Sequence, residues 1–197
     1  ITQRLGVEHR FLKTPAMNDI FVDSLKRYAN VCQGCFKTIY TLGLQLARDV
    51  GAPMIVTGLS RGQLFETRLA PELFKGGHMT PESIDKMVLE ARRSYHQVAD
   101  VAAQRLNGEL FEQGDVLDEI AFVDFYRYCD VPVSEVYRHL EKSVGWSRPM
   151  DTGRSTNCLI NDVGIHVHKT RRGHHNYALP YSWDVRLGHK TRKEAVE

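Results

Sequence analysis

The sequence predicts an α/β fold, a parallel sheet flanked by helices with a loop-rich C-terminal extension. Three observations carry that expectation. Pro53-Met-Ile-Val-Thr57 is a short β-branched run that breaks at Gly58 into a small polar loop, the pattern of a buried parallel strand. Two amphipathic helical stretches lie between it and an earlier strand-like run, Val7-Glu-His-Arg-Phe-Leu12, a strand–helix–helix–strand order. Ile120-Ala-Phe-Val-Asp-Phe-Tyr-Arg-Tyr128 is rich in aromatic and β-branched residues and reads as a further strand.

The elements follow in order. Ile1-Thr-Gln-Arg-Leu-Gly6 has the form of the last turns of a helix ending at a glycine cap, so the chain is expected to begin inside a domain. Pro15 ends the first strand, and Asn18 or Asp19 is placed to cap a helix carrying Ile20, Phe21, Leu25 and Tyr28. The next helix opens at Cys32 and Cys35, buries Phe36, Ile39, Leu42, Leu46, Ala47 and Val50, and stops at Gly51. Residues 59–80 form a polar connection. Thr80 then caps a helix with Pro81 at its first position. That helix runs to about Arg93, and another spans residues 95–106. Pro132-Val-Ser-Glu135 opens an amphipathic helix through Val136, Leu140 and Val144 that closes at Gly145-Trp146. Residues 1–146 are expected to form the α/β domain and 147–197 a basic extension packed on it.

The bulk properties exclude several classes. A chain of 197 residues can bury a substantial core, and a net charge of +2 says little about partners. Between Arg148 and Lys193, however, bases far outnumber acids, a distribution suited to phosphate or nucleic acid as well as to a solvated surface. No apolar run is long enough to span a bilayer, and no signal peptide is recognisable. Four cysteines with one Cys-x-x-Cys pair do not form a secreted disulfide framework, so a reducing, cytoplasmic setting is expected.

The chemistry-bearing residues fall into three groups. Cys32 and Cys35 are spaced so that both sulfurs reach one metal or each other, and a helix N-terminus favours thiolate. Cys158, in a polar loop, is the best third ligand, whereas Cys129 reads as a core residue. Three cysteines suit an iron–sulfur cluster, and three with a histidine suit zinc. Thr57, Gly58, Arg61, Gly62 and Gln63 form a loop at a strand C-terminus, where open α/β sheets bind ligands, although Gly and Ser punctuate ordinary turns equally well. Arg68 and Arg154 can hold a phosphate or acidic group by bidentate contact. His166 and His168 alternate as on one strand face, and Trp146, Tyr177, Tyr181 and Trp183 offer rings for stacking.

Ile55-Val-Thr-Gly-Leu-Ser-Arg-Gly-Gln63 resembles a nucleotide-side strand and loop of the ATP pyrophosphatase (PP-loop, adenine nucleotide α-hydrolase) superfamily. The Cys-x-x-Cys pair resembles that of its tRNA-thiolating members. The segment from Phe122 to Trp146 and the closing Asp184-Val-Arg-Leu-Gly-His-Lys-Thr-Arg-Lys-Glu-Ala195 are similar to N-acetyl sugar amidotransferases. The resemblance covers most of the chain and implies an ATP- and Mg2+-dependent adenylating transferase. In that reading it activates a carbonyl or amide oxygen on a sugar-like acceptor, with sulfur transfer to tRNA as the alternative. Zinc or an iron–sulfur cluster would sit on Cys32, Cys35 and Cys158, which would also be the catalytic residues. An ammonia- or sulfur-donating partner protein and a homo-oligomeric state are further implied. The family's Ser-Gly-Gly-x-Asp-Ser loop is absent, and its usual place lies upstream of Ile1, so the chain alone is expected to be inactive. A non-catalytic, metal-stapled module that binds RNA or protein is the second class of function.

Overall fold

A computed structural model describes residues 2–59, 80–106, 110–111, 116–147, 158–186, 188 and 190–196. Helix accounts for 66% of the described residues and strand for 5%, so the fold is helical rather than α/β. Helix α1 (Thr2–Leu5) ends at Gly6, whose φ of 66° is the left-handed turn a glycine tolerates. Residues 7–12, expected as a strand, have no regular structure, and Phe11 projects into solvent. Helix α2 (Met17–Tyr28) starts two residues before the expected cap. The Ala16 amide donates to Thr14 Oγ1 at 3.2 Å just before it.

Helix α3 (Cys32–Asp49) is the longest element, and α2 packs along it. Two features bring them close. A Cβ built on Gly34 would lie 2.7 Å from Ile20 Cγ2 and 3.1 Å from the Ile20 carbonyl oxygen, so only glycine fits this crossing. Ser24 Oγ accepts from the Gly34 amide at 3.0 Å and donates to the Asn30 carbonyl at 2.5 Å, which ties the two helices and their connection together. The glycine inside Cys32-Gln-Gly-Cys35 is therefore a packing residue.

The face that α3 buries differs from the apolar stripe read in the sequence. Lys37, Thr38, Tyr40, Thr41, Leu44 and Ala47 are buried, while Ile39 and Val50 are exposed. The cause lies across the helix. Lys37, 1% exposed, donates from Nζ to both carboxylate oxygens of Asp100 at 3.0 and 2.9 Å and to the Val98 carbonyl at 2.7 Å. Burial pushes the Lys37 ammonium below its ordinary value, partly offset by its hydrogen bonds to Asp100.

Strand β1 (Met54–Thr57) forms where expected, but it is not the buried strand the run suggests, because Met54 and Val56 are exposed. Helix α4 (Pro81–Gln97) begins with Thr80 Oγ1 accepting from the Ser83 amide and Pro81 in its first turn, also as expected. It runs past Arg93 to Gln97, and α5 (Val101–Leu106) begins after the Asp100 turn. There the Asp100 carboxylate accepts from the Ala103 amide at 2.8 Å. Helix α6 (Val116–Glu119) leads into strand β2 (Ala121–Asp124). The run expected as one strand over residues 120–128 turns helical at α7 (Phe125–Tyr128).

Strands β1 and β2 pair in parallel, with Thr57 opposite Asp124, as the one sheet among the described residues. Two strands do not make the extended parallel sheet of the adenine nucleotide α-hydrolase fold. The expected fold class and the resemblance built on it are both corrected by this topology.

Helix α8 (Val133–Val144) closes at Gly145 (φ 63°), as the Gly-Trp signal indicates, with the Gly145 and Trp146 amides donating to Glu141 and Leu140. The C-terminal segment is helical where loop was expected, at α9 (Asn161–Arg172) and α10 (Ala178–Arg186), and ends in α11 (Arg192–Val196), where the run from residue 189 signals a terminal helix. Helix α9 reaches the α2–α3 corner. A Cβ on Gly164 would lie 3.0 Å from Val31 Cγ2, and Arg171 Nη1 donates to the Leu25 and Lys26 carbonyls.

Three small apolar clusters make the described core, and α2, α3 and α5 connect them. Leu44 and Ala47 meet Leu110, Val116, Leu117 and Ile120; Tyr40 meets Leu59 and Val88; Ala16 and Ile20 meet Ala102.

Gly34→Ala is expected to destabilise the chain by up to about 2 kcal/mol. Overpacking at a tight crossing costs about 1–3 kcal/mol, against a helix-propensity gain of about 1. A denaturant midpoint equal to or above that of the parent chain would refute the packing role. Lys37→Met should cost about 3–5 kcal/mol, because it strands a buried carboxylate. Adding Asp100→Asn, which keeps the α5 cap, should recover a large part of that loss in the same urea titration.

Candidate functional site

A groove of about 580 Å³ lies between the irregular residues 10–14, the start of α2 at Met17, and α3. Its size is that of an ordinary small-molecule site. Arg10, Lys13 and Thr14 give it polar, cationic lining, and Leu12, Ile39 and Leu42 give it apolar lining. Cys35 and Thr38 lie on the α3 side. Ile39 is 56% exposed and Leu12 46%, so both present bare apolar surface there. Arg10 Nε is held by Glu8 at 2.6 Å, an exposed pair that leaves Lys13 as the more available cation. The Thr38 hydroxyl is spent within its own helix, donating to the Gly34 carbonyl at 2.9 Å.

Cys35 joins this groove to the cysteine group. Burial pushes its thiol above the ordinary value, and the neighbouring Cys158 pushes the same way. The fold thus brings Cys158 near Cys35 across 123 residues (158 − 35), because α9 starts just beyond Cys158 and packs on Val31 beside the α3 terminus. The thiolate expected at a helix N-terminus is not what Cys35 provides: desolvation outweighs the helix end. Cys32 lies one turn earlier, its amide donating to Asn30 Oδ1 at 2.7 Å. All four cysteines are half-buried and outside any disulfide. Among the described residues no group of three or more His, Cys, Asp or Glu side chains is placed to hold a metal ion. The expected zinc or iron–sulfur site on Cys32, Cys35 and Cys158 is therefore corrected, and with it the metal-stapled module.

At the strand C-termini the sequence reading pointed to Thr57 and Gly58. Thr57 Oγ1 donates to Asp124 Oδ1 at 2.6 Å, and Asp124 also takes two hydrogen bonds from Arg92 Nη2 at 2.7 and 2.8 Å. Arg92 lies over the Phe122 ring, 4.5 Å from its centroid. Both members of the ion pair are buried, so this end of the sheet is a closed polar lock. A Cβ on Gly58 would meet nothing within 4 Å. Arg61, Gly62, Gln63, Arg68 and Arg154 lie outside the described residues.

With neither a nucleotide-binding sheet nor a metal cluster among the described residues, the adenylating amidotransferase and sulfurtransferase readings lose their support. So do ATP and Mg2+ as cofactors and the sugar-like acceptor, tRNA and donor protein as partners. The chain matches no protein-family model, no curated protein and no solved structure. Among the described residues no helix is long and apolar enough to cross a membrane.

His166 and His168 lie on α9 rather than on a strand. His168 Nδ1 donates to the Ala29 carbonyl at 3.3 Å, which leaves Nε2 unprotonated, buried and without a hydrogen-bond partner among the described residues. Burial lowers its pKa, the Ala29 bond opposes that, and His174 and Arg172 add to the lowering. Trp146 packs on Tyr137, and Tyr177 on Tyr181, in ring contacts within the fold.

Lys37, Asp100, Arg92 and Asp124 were missed in the sequence. One signal existed for Arg92. Ile84, Val88, Arg92 and His96 recur every four residues, so Arg92 continues the inward stripe of α4.

The depressed His168 value sets a sign. Above pH 6.5, its ordinary pKa, both folded and unfolded chains hold it neutral. Below that, the unfolded chain takes up the proton first, so stability falls as pH falls until the folded-state pKa is passed. His168→Gln, which retains a donor for Ala29, should show a shallower loss of stability between pH 7.5 and 5.5. Parallel stability–pH curves for the two chains would count against this role.

Proposed function

We propose that this chain binds a small organic anion with an apolar body in the groove beside α3. One observation carries the reading: cationic Arg10 and Lys13 share the groove with exposed apolar Leu12 and Ile39 and half-buried Leu42, within a volume suited to a small molecule. A carboxylate would meet Lys13 and the Thr14 hydroxyl, and an alkyl or aromatic body would lie along Ile39 and Leu42. Each methylene buried contributes about 0.8 kcal/mol, and a charge-assisted hydrogen bond about 1.5–3 kcal/mol. Affinity therefore requires both halves of the ligand. Cys35 serves as a contact residue, and its raised pKa suits a neutral thiol rather than a nucleophile.

Octanoate is the probe, with butanoate and octanol as the truncated controls. Octanoate is expected to bind at least about tenfold more tightly than either, since four methylenes or one charged hydrogen bond each exceed about 1.4 kcal/mol. It should also slow iodoacetamide alkylation of Cys35 while leaving Cys129 unaffected. Lys13→Glu and Ile39→Glu, both at the groove, should each abolish the protection with little change in melting temperature. Equal binding of octanol and octanoate, or equal protection of Cys35 and Cys129, would sink the reading.

A further inference from the structure

A second concavity stands apart from the groove, at the corner where α2 and α9 end. It encloses about 220 Å³ and is lined by Lys26, Arg27, Ala29, Arg171 and Arg172. Four cations converge there from the last turns of two helices. Bases at helix C-termini are ordinarily explained by the negative pole of the helix, each contributing about 0.3–1 kcal/mol.

Here the poles are largely answered by hydrogen bonds. At α2, the Ala29 amide donates to Leu25 at 3.0 Å, and Arg171 Nη1 donates to Leu25 and Lys26 at 3.1 and 3.0 Å. At α9, the Gly173 amide donates to Lys169 at 3.0 Å. Arg27 is paired with Asp23, at 2.8 and 3.0 Å from Nε. That carboxylate neutralises one of the four charges and leaves the corner strongly positive. Lys26 and Arg172 are exposed, and no pole or carboxylate described here consumes them.

We propose that this corner is a binding site for a phosphate group, either inorganic phosphate or a small phosphate monoester. Lys26 supplies a mobile point charge and Arg172 a planar fork suited to two phosphate oxygens, while Arg171 stays on the α2 carbonyls and braces the site. The volume is below that of drug-sized pockets, which start at about 300 Å³, so the corner takes the headgroup and leaves any ester substituent outside.

The test is a titration of the full chain, followed by backbone amide resonances, with inorganic phosphate, glycerol 3-phosphate and glycerol as probes. Sodium chloride at matched ionic strength is the control. Phosphate should shift the Ala29 and Arg172 amides saturably. The Lys26→Gln/Arg172→Gln double variant should weaken binding by at least about tenfold, since two charge-assisted hydrogen bonds are removed. Both substitutions are on the surface, and an unchanged melting temperature checks the fold. A Lys26→Arg variant, which keeps the charge and leaves the Arg172 fork in place, should retain binding. Tighter binding of glycerol 3-phosphate than of phosphate assigns the site to esters, and the reverse order assigns it to the free ion. Equal shifts with chloride, or unaltered phosphate affinity in the Gln variant, would overturn the site without touching the groove beside α3.

Discussion

The buried ion pair of Lys37 and Asp100 is the constraint around which the described helices are arranged. Its three protein hydrogen bonds bind the middle of α3 to the turn between α4 and α5. The same carboxylate caps α5 through the Ala103 amide, so one side chain sets both the tilt of α3 and the start of α5. Desolvating such a pair costs several kcal/mol per ion, and its attraction only repays this when the geometry is complete. Its contribution is thus better described as register than as net stability: only one rotation of α3 brings Lys37 to Asp100. That rotation turns Ile39 outward.

A second buried pair repeats the device at the sheet. Arg92 and Asp124 join α4 to the end of β2, and Thr57 adds the end of β1 to the same carboxylate. A two-stranded parallel sheet is a small object, with few ladder bonds and two edges. Its strand ends are held by side chains. Among the described residues the core is three small apolar clusters, two of them bridged by Phe122.

The outward rotation of α3 is also what makes the groove. Ile39 would be a core residue if the helix followed its apolar stripe; turned away, it lines the groove with Arg10 and Lys13. Structure and candidate function are linked through Lys37. The basic corner has a different origin. It arises where α9 docks across the end of α2, and its charges come from segments about 145 residues apart in the chain. The two concavities thus differ in size and polarity, about 580 Å³ with a mixed cationic and apolar lining against about 220 Å³ lined chiefly by cations.

Local signals were legible where local chemistry decides the outcome. Thr80-Pro81 starts α4, Gly145 ends α8, Gly6 and Gly51 follow helix ends, and the β-branched run of β1 is a strand, because caps, left-handed turns and steric preference act within a few residues. The sequence by itself determined these boundaries and the amphipathic character of the helices. Tertiary structure alone decided which face of α3 is buried, because a lysine is placed inside only when its carboxylate, 63 residues later, is already there. It alone decided that the 7–12 and 166–168 segments are not strands, since alternating residues form a strand only with a neighbour to pair with, and that Cys158 approaches Cys35. The expectation of nucleotide and metal chemistry failed for the same reason. Thr-Gly loops and Cys-x-x-Cys pairs name possible ligands, whereas a site requires several such groups to converge, and convergence is a property of the packed chain.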